Sequence, residues 1–263
     1  EQVIAGAQVV IFSVPIRHAA QIIGQWVALA DGREAGTLWL DITSVKVAPV
    51  QALLASRAAV AGLHPMCAPP KSPTLKGRPL VVCAVRTGSW QGWLDQLCAA
   101  LQAQCVQATP EHHDRMMALV QAMVHATSLA QASVLREQQD WLGALEAVLP
   151  FRTVGFEMSL ASMARILALN PAIYEDIQFG NPYVAPMLVR LSAQLQQLAT
   201  LVQCGDQAAR DTFRARFLAD NRQAFGPALV DTGNYGFERM GYLLADLAGE
   251  QAISVYLPRD RPG

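Results

Sequence analysis

The sequence predicts an α/β domain followed by an all-α domain, and three observations support this. Short apolar runs alternate with amphipathic helical stretches up to residue 107. From residue 108 onward almost every patterned segment has helical periodicity. Of the 263 residues, 52% are hydrophobic and 16% are charged, which is enough apolar material for two cores. We therefore divide the chain into residues 1–107 and residues 108–263.

The α/β part is predicted from apolar runs bounded by turn residues. Ala7 to Val14 is a continuous apolar run that ends at Pro15, which is typical of a parallel strand buried on both faces. Helical stripes separate this run from the next ones, so a helix-covered parallel sheet is expected. The predicted strands are 7–14, 36–42, 59–63, 79–84 and 105–107, and the predicted helices are 16–29, 48–55 and 90–102.

The glycine-rich turn that normally opens such a sheet is not in this sequence. In dinucleotide-binding folds a G-x-G-x-x-G turn cradles the pyrophosphate of the cofactor. That spacing occurs nowhere in the 263 residues. We interpret residues 1–107 as a truncated dinucleotide-binding-type domain, a partial Rossmann-like parallel sheet, and expect the chain alone to bind a dinucleotide poorly.

The change to helix is marked by Thr109-Pro110-Glu111, which combines an N-cap threonine, a proline at the first helical position and an acid in the first turn. The predicted helices are 110–138, 141–149, 156–169, 172–179, 183–204, 206–221 and 235–248, with a terminal strand at 252–257. The Pro-rich segment 67–77, between the third and fourth strands, is expected to form a wall or lid over a site.

Composition excludes several classes of protein. The formal net charge is −1 without basic runs, which argues against nucleic-acid binding. No apolar run reaches the roughly 18 residues of a membrane span, and the start does not resemble a signal peptide. The five cysteines match no metal spacing, so we expect reduced thiols, no metal site and a cytoplasmic location.

His64 is the first candidate for chemistry, in Gly62-Leu63-His64-Pro65-Met66. We predict that this pentapeptide is a loop in which the proline restrains the histidine. An imidazole exchanges protons near neutral pH, so His64 is a candidate general base. The alternative is a loop histidine that caps a neighbouring element.

Ser44 is the second candidate, in Asp41-x-x-Ser44-Val45-Lys46 at the carboxyl end of a predicted strand. Ligands of open α/β sheets bind at that edge. A serine there can orient an imidazole or hold a substrate hydroxyl. The alternative is that Ser44 is the N-cap of helix 48–55.

Two further candidates lie in the helical part. Arg165, within an apolar helix, can bind a carboxylate through two hydrogen bonds, or its head group can simply reach water. His125 follows apolar residues and is either functional or a satisfied core histidine. It lies ~18 Å along the helix axis from His113, so His112-His113-Asp114 and His125 do not form one metal site.

The order and spacing of these motifs resemble the prephenate dehydrogenase family, the oxidoreductases of tyrosine biosynthesis, over nearly the whole chain. The resemblance is closest to the bacterial branch often fused to chorismate mutase. It is carried by Val14-Pro15-Ile16, Asp41-x-x-Ser44-Val45-Lys46, Gly62-x-His64-Pro65-Met66, Glu111-x-His113-Asp114, Met117, Gln121-Ala122, His125, Arg165 and Asn170-Pro171-x-x-Tyr174-x-Asp176-Ile177.

The resemblance implies oxidative decarboxylation of prephenate, with hydride transfer to NAD or NADP. His64 would accept the proton of the C4 hydroxyl, and Ser44 would hydrogen-bond His64 or that hydroxyl. Arg165 would bind a substrate carboxylate and His125 would line the pocket. The cofactor side is assigned to Ser13, Pro15 and Lys46, and a homodimer through the helical domain is expected.

Two alternatives remain open from the sequence. The chain could be a non-catalytic fragment or relic that acts as a helical dimerisation or ligand-sensing module. It could also use arogenate or a 4-amino analogue in place of prephenate. Rates with each substrate and each cofactor would distinguish these possibilities.

Overall fold

The structure is a computed structural model that describes residues 6–67 and 74–249. Its contacts group the chain into two compact units. One contains the described residues up to Val124 together with Asn170–Met187, and the other contains His125–Leu169 and the described residues from Leu188 onward. The predicted boundary near residue 107 therefore differs from this grouping, because the start of the long helix and a later helix contact the sheet-containing unit.

The first unit is built on a five-stranded sheet in the order β1-β2-β3-β4-β5. Three of the strand pairs, β1 with β2, β2 with β3 and β4 with β5, are parallel. The strands are β1 Val9–Phe12, β2 Leu38–Asp41, β3 Ala59–Pro65, β4 Pro79–Arg86 and β5 Gln104–Gln107. All five predicted strands are therefore present, with ends shifted by a few residues.

One strand pair departs from the prediction, because β4 runs antiparallel to β3. The sheet is thus mixed. In this pairing His64 lies opposite Val81 and Pro65 opposite Leu80. The prediction that His64 lies in a loop was wrong: β3 continues through His64, since β4 supplies partners up to Pro65.

Helices cover both faces of the sheet, as the continuous apolar strands predicted. The helices of this unit are α1 Ile16–Ala30, α2 Val47–Leu54, α3 Gln91–Leu101 (after a short 3₁₀ turn, Gly88–Trp90), α4 Pro110–Met117 and α8 Pro171–Gly180. On one face Trp39 and Val60 pack with residues of α1 and α2. On the other face Leu40 and Leu63 pack with Leu94 of α3.

The described part of the second unit is helical, as predicted. Its segments are α5 Met123–Glu137, α6 Gln139–Leu142, a 3₁₀ segment Leu145–Phe151, α7 Val154–Leu167, α9 Val184–Cys204, α10 Gln207–Phe213, a π-helical turn Arg214–Ala219 and α11 Asp220–Gly249. Gly226, with φ of 73°, interrupts α11 just before Pro227. The predicted terminal strand 252–257 and most of the Pro-rich segment 67–77 lie outside the described residues.

The long helix predicted to begin at Pro110 is confirmed. The side chain of Thr109 accepts a hydrogen bond from the backbone N–H of His112, 3.1 Å away. A π-helical turn, Ala118–Ala122, joins α4 to α5. By length and composition alone, one described helix, Pro110–Glu137, is apolar enough to cross a membrane, which differs from the prediction that no apolar run reaches that length. In this structure, however, the first turns of that helix are buried in the first unit through His113, Asp114 and Met117.

Candidate functional site

The candidate site lies where β2 and β3 end. Asp41 is the last residue of β2, and His64 is the penultimate residue of β3. The loop that contains Ser44 follows β2 directly and leads into α2. Carboxyl ends of neighbouring parallel strands meet at one edge of a sheet, and ligands of α/β proteins bind there. The parallel pairing of β2 with β3 therefore brings the loop of Ser44 and the end of the strand with His64 to the same edge of the sheet.

A hydrogen-bonded chain of three buried side chains begins at His64. The Nδ1 atom of His64 lies 2.8 Å from Nε2 of His113. The Nδ1 atom of His113 lies 2.7 Å from Oδ1 of Asp114. The three residues are 4%, 1% and 0% exposed, so the chain is shielded from water. His64 thus has a fixed orientation, as expected for a functional imidazole.

Asp114 also holds the start of α2. Its Oδ1 accepts the backbone N–H of Lys46 at 2.7 Å, and its Oδ2 accepts that of Val47 at 2.9 Å. The carboxylate therefore satisfies two of the free donors at a helix N-terminus and interacts favourably with the helix dipole. The alternative interpretation of Ser44 as the N-cap of this helix was wrong, because Asp114 from α4 occupies that role.

Ser44 is half-buried in the loop between β2 and α2. Among the described residues its hydroxyl is not hydrogen-bonded to His64, whose ring partner is His113. A hydrogen bond from Ser44 to His64 is therefore not present in this structure. The other predicted contact of Ser44, with the substrate hydroxyl, stays a prediction.

Lys46 forms a fully buried ion pair with Asp41. Its Nζ lies 2.6 Å from Oδ1 and 2.7 Å from Oδ2 of Asp41, and both residues are 0% exposed. Burial lowers the pKa of Lys46, while the charge of Asp41 acts in the opposite direction. The backbone N–H and hydroxyl of Thr43 also donate to Asp41 Oδ1. Since the ammonium is engaged by Asp41, this geometry does not favour the predicted cofactor contact of Lys46, which stays untested.

Gly62 provides the space for this ion pair. A Cβ at position 62 would lie 2.8 Å from Val50 Cγ2, 2.9 Å from Lys46 Cδ and 3.1 Å from Asp41 Oδ2. We expect Gly62→Ala to lower the free energy of unfolding by ~1–3 kcal/mol, because neighbours in a closed core must shift. Chemical denaturation measures this. The control is Gly24→Ala, because a Cβ at this position of α1 meets nothing within 4 Å. Its stability should rise, since alanine favours a helix more than glycine does. Equal changes of stability in the two variants would contradict the close packing around Gly62.

The pKa of His64 is lowered to about 3, first by burial and then by its electrostatic interactions with His113 and Lys46. His64 is therefore uncharged at neutral pH and retains a lone pair that can accept a proton. Burial also raises the pKa of the neighbouring Cys83 thiol, to about 12. Because the thiolate is the reactive form, this thiol is unreactive at neutral pH.

The lowered pKa of His64 predicts an acid-labile fold. The folded state disfavours the charged imidazole, so the stability contributed by His64 is present above pH 6.5 and is lost as pH falls toward 3. Over this interval we expect the free energy of unfolding of the native protein to fall more steeply than that of His64→Asn, by up to about 1.4 kcal/mol per pH unit. Denaturation curves of both proteins between pH 7 and pH 4 measure the difference, and parallel losses would contradict the lowered pKa.

Ser13 and Pro15 are exposed at the carboxyl end of β1, where α1 begins. Asp176 of α8 binds this helix start, since its Oδ2 accepts the backbone N–H of Arg17 at 3.2 Å and its Oδ1 accepts the guanidinium Nε at 2.5 Å. Asp176 therefore links the start of α1 to α8, while Ser13 and Pro15 remain accessible. Their predicted contact with the cofactor stays a prediction.

The other two predicted residues belong to the second unit. His125 lies in α5 and is 8% exposed, and its pKa is lowered by burial and by the charge of Arg165. Arg165 lies on an exposed position of α7. The predicted roles of both residues toward substrate stay predictions.

Sequence reasoning missed His113 and Asp114 as partners of His64. It rejected them as a metal motif and otherwise named them only as part of the motif that carries the family resemblance. Among residues 6–67 and 74–249 no group of three potential metal ligands is found. A usable signal was present: the Thr109 cap fixes the phase of α4, so that His113, Asp114 and Met117 share its buried side. What the sequence did not reveal was which element this side contacts.

The comparisons with known proteins agree with this architecture. A family profile described as "Prephenate dehydrogenase, dimerization domain" matches residues 109–218. The 4-amino-4-deoxyprephenate dehydrogenase of Streptomyces pristinaespiralis is 33% identical over 81% of this chain and 69% of its own length. The T-protein of Enterobacter agglomerans is 29% identical over 80% of this chain and 54% of its own length, so this chain spans about half of that relative.

Solved structures show the same fold. The prephenate dehydrogenase of Aquifex aeolicus superimposes with a TM-score of 0.64 over 84% of this chain and 80% of its own, at 17% identity. The arogenate dehydrogenase of Synechocystis gives 0.62 over 84% and 81%, at 16% identity. The fold defines a two-unit protein of the α/β class, with one sheet-containing unit and one helical unit. The sequence matches make the family specific: this chain belongs to the prephenate dehydrogenase family.

Proposed function

We propose that the protein catalyses the oxidative decarboxylation of prephenate to 4-hydroxyphenylpyruvate, with transfer of a hydride to NAD or NADP, in tyrosine biosynthesis. The observation that carries this proposal is the uncharged, immobilised imidazole of His64 at the carboxyl edge of the sheet. Membership of the family supports the reaction class. One solved neighbour is described as a complex with hydroxyphenyl propionate and NAD+.

Ser13 and Pro15, which are exposed beside the start of α1, are proposed to hold the nicotinamide end of the cofactor. The glycine-rich turn that would cradle the pyrophosphate does not occur in the sequence. When bound, the cofactor supplies the acceptor of the hydride.

In the proposed mechanism His64 accepts the proton of the C4 hydroxyl through Nε2, the ring nitrogen that does not contact His113. Loss of this proton raises the electron density at C4 and promotes departure of the hydride. The ring carboxylate then leaves as CO2, and aromatisation of the ring drives this step. The protein needs to supply only binding, orientation and one base. Ser44 is proposed to hydrogen-bond the same hydroxyl.

Arg165 is proposed to bind a carboxylate of the substrate, and His125 to line the binding pocket. We expect Arg165→Ala to raise KM for prephenate about tenfold or more with little change in kcat, because a charge-assisted pair of hydrogen bonds is lost. Steady-state kinetics measure this. Arg165→Lys keeps the positive charge but loses the paired donors of the guanidinium. Its KM for prephenate should lie between those of the native protein and of Arg165→Ala. An unchanged KM in Arg165→Ala would remove the residue from the proposal.

Two other substrates are alternatives, since relatives are described as an arogenate/prephenate dehydrogenase and as a 4-amino-4-deoxyprephenate dehydrogenase. The test is a panel of prephenate, arogenate and 4-amino-4-deoxyprephenate, each with NAD and with NADP, using protein expressed from the complete coding sequence. The highest kcat/KM is expected with prephenate. Inactivity on the whole panel would contradict the proposed function and favour a non-catalytic dimerisation or ligand-sensing module.

We also propose a homodimer formed through the helical unit, in a protein of the cytoplasm. The matched profile describes a dimerisation domain, and long helices of this unit expose large apolar side chains. Examples are Val189, Val202, Phe225 and Tyr242, which are 60–70% exposed. Burial of such side chains against a second copy would be favourable. Sedimentation is expected to show a dimer, and a monomer at every concentration tested would contradict this.

A further inference from the structure

We propose that His113 and Asp114 are positioning residues that hold His64 in the tautomer whose Nε2 lone pair faces the substrate. The inference rests on the proposed function for the direction of the proton transfer. The hydrogen-bonded chain itself can be measured without any substrate.

The assignment of hydrogens starts at Asp114. Its two oxygens already accept the backbone N–H groups of Lys46 and Val47. An ionised carboxylate can only accept hydrogen bonds, so the contact at 2.7 Å requires that Nδ1 of His113 carries the hydrogen. In a neutral imidazole the other nitrogen is then an acceptor. Nε2 of His113 therefore presents a lone pair to His64.

The direction of the hydrogen bond between His113 and His64 follows from this lone pair. Since His113 Nε2 is an acceptor, Nδ1 of His64, which lies 2.8 Å away, must donate. The Nε2 atom of His64 is then left without a hydrogen. This is the state required of a general base. If His113 were instead doubly protonated, it would donate to His64, and the hydrogen of His64 would move to Nε2.

Asp114 is suited to this role because it cannot rotate freely. Its carboxylate is fixed at the N-terminus of α2, and its backbone carbonyl accepts a hydrogen bond from Asn181 Nδ2 at 2.7 Å. Asp114 is also 0% exposed, so no water competes for its oxygens. The charged groups that face His64 are Lys46, which is paired with Asp41, and Asp114, which interacts with His64 through His113. As His64 takes up a proton, Asp114 is the carboxylate that offsets the new positive charge through His113.

His113 and Asp114 have a different role from His64. His64 is proposed to touch the reacting hydroxyl, whereas His113 and Asp114 act only through His64. Asp114→Asn can turn an amide N–H toward His113, but the Lys46 backbone N–H then loses its acceptor, because both groups contact Oδ1 of Asp114. In that orientation the hydrogen bonds of the whole chain can reverse. Such a reversal would place the hydrogen of His64 on Nε2 and abolish its function as a base.

The test is ¹⁵N NMR of histidine-labelled protein at neutral pH, together with kinetics. We expect His64 to carry its hydrogen on Nδ1 in the native protein and partly on Nε2 in Asp114→Asn, in which kcat should fall in proportion to the Nδ1-protonated fraction lost, with little change in KM. The matched control is Asp176→Asn. Asp176 accepts a hydrogen bond at the start of α1 and takes no part in the hydrogen bonds between His64, His113 and Asp114, so its replacement should leave the His64 tautomer unchanged. A native His64 with its hydrogen on Nε2, or with both nitrogens protonated, would overturn the proposal.

A second pair of variants separates positioning from folding. His113→Gln keeps an acceptor oxygen for His64 Nδ1, whereas His113→Leu removes it. We expect the glutamine variant to retain the native tautomer and several-fold more activity than the leucine variant at equal stability. Equal activities would contradict the role of His113. Inactivity of the native protein on the substrate panel, with the tautomer as predicted, would instead refute the proposed function alone.

Discussion

Replacement of His64 by asparagine is expected to lower kcat by ~10² or more while KM for prephenate changes little. General base catalysis contributes this order of magnitude, and asparagine cannot accept the proton in the transition state. An interaction made only in the transition state appears in kcat rather than in KM. Steady-state rates of reduced cofactor formation, measured with protein from the complete coding sequence, give both constants.

The control for this variant is His112→Asn. His112 is exposed on α4, one residue before the histidine that contacts His64, and its ring does not belong to the buried chain. Its replacement should leave kcat and KM within about twofold of the native values, because exposed substitutions away from special features have small effects. Equal and small effects of His64→Asn and His112→Asn would refute the assignment of His64 as the base.

Replacement of Lys46 by methionine is expected to have the largest effect on stability. It would leave the carboxylate of Asp41 at 0% exposure without the ammonium that now lies 2.6 and 2.7 Å from its oxygens. Removal of one partner of a buried ion pair costs ~3–5 kcal/mol, because the remaining charge is neither solvated nor paired. Denaturant-induced unfolding at pH 7 measures the loss. Lys76→Met, at an exposed position, should change stability by less than ~0.5 kcal/mol.

The double variant Lys46→Met/Asp41→Asn tests whether the loss comes from the unpaired charge. An asparagine at position 41 can still accept the hydrogen bonds that Thr43 donates, while it carries no charge. We therefore expect the double variant to recover most of the stability lost in Lys46→Met. A double variant as unstable as the single one would show that the packing of the lysine chain, rather than its charge, stabilises this edge of the sheet.

The sequence was sufficient to predict the strands and most helices, because apolar periodicity and helix caps are local signals. The continuous run before Pro15 predicted β1, and Thr109-Pro110-Glu111 predicted the start of α4. Strand direction is not a local signal. The antiparallel β4 was therefore missed, and with it the placement of His64 within β3 rather than in a loop.

The candidate site shows the same limit. Ser44 and Lys46 were both assigned from their position after a strand, yet their side chains have different environments. Lys46 is fully buried because Gly62 on the neighbouring strand leaves room for its chain, and neither fact is visible in the motif around Lys46. Likewise, Asp114 caps α2 across 67 residues of sequence, so a cap from a nearby serine was the natural but wrong alternative.

The account as a whole is tested most directly by the stoichiometry of the proposed reaction. The protein from the complete coding sequence would be incubated with prephenate and NAD or NADP, and both CO2 and reduced cofactor would be quantified. The account predicts equimolar formation of the two products in the native protein and a drop of ~10² or more in both rates in His64→Asn. Reduced cofactor without CO2, or equal rates in the two proteins, would contradict it.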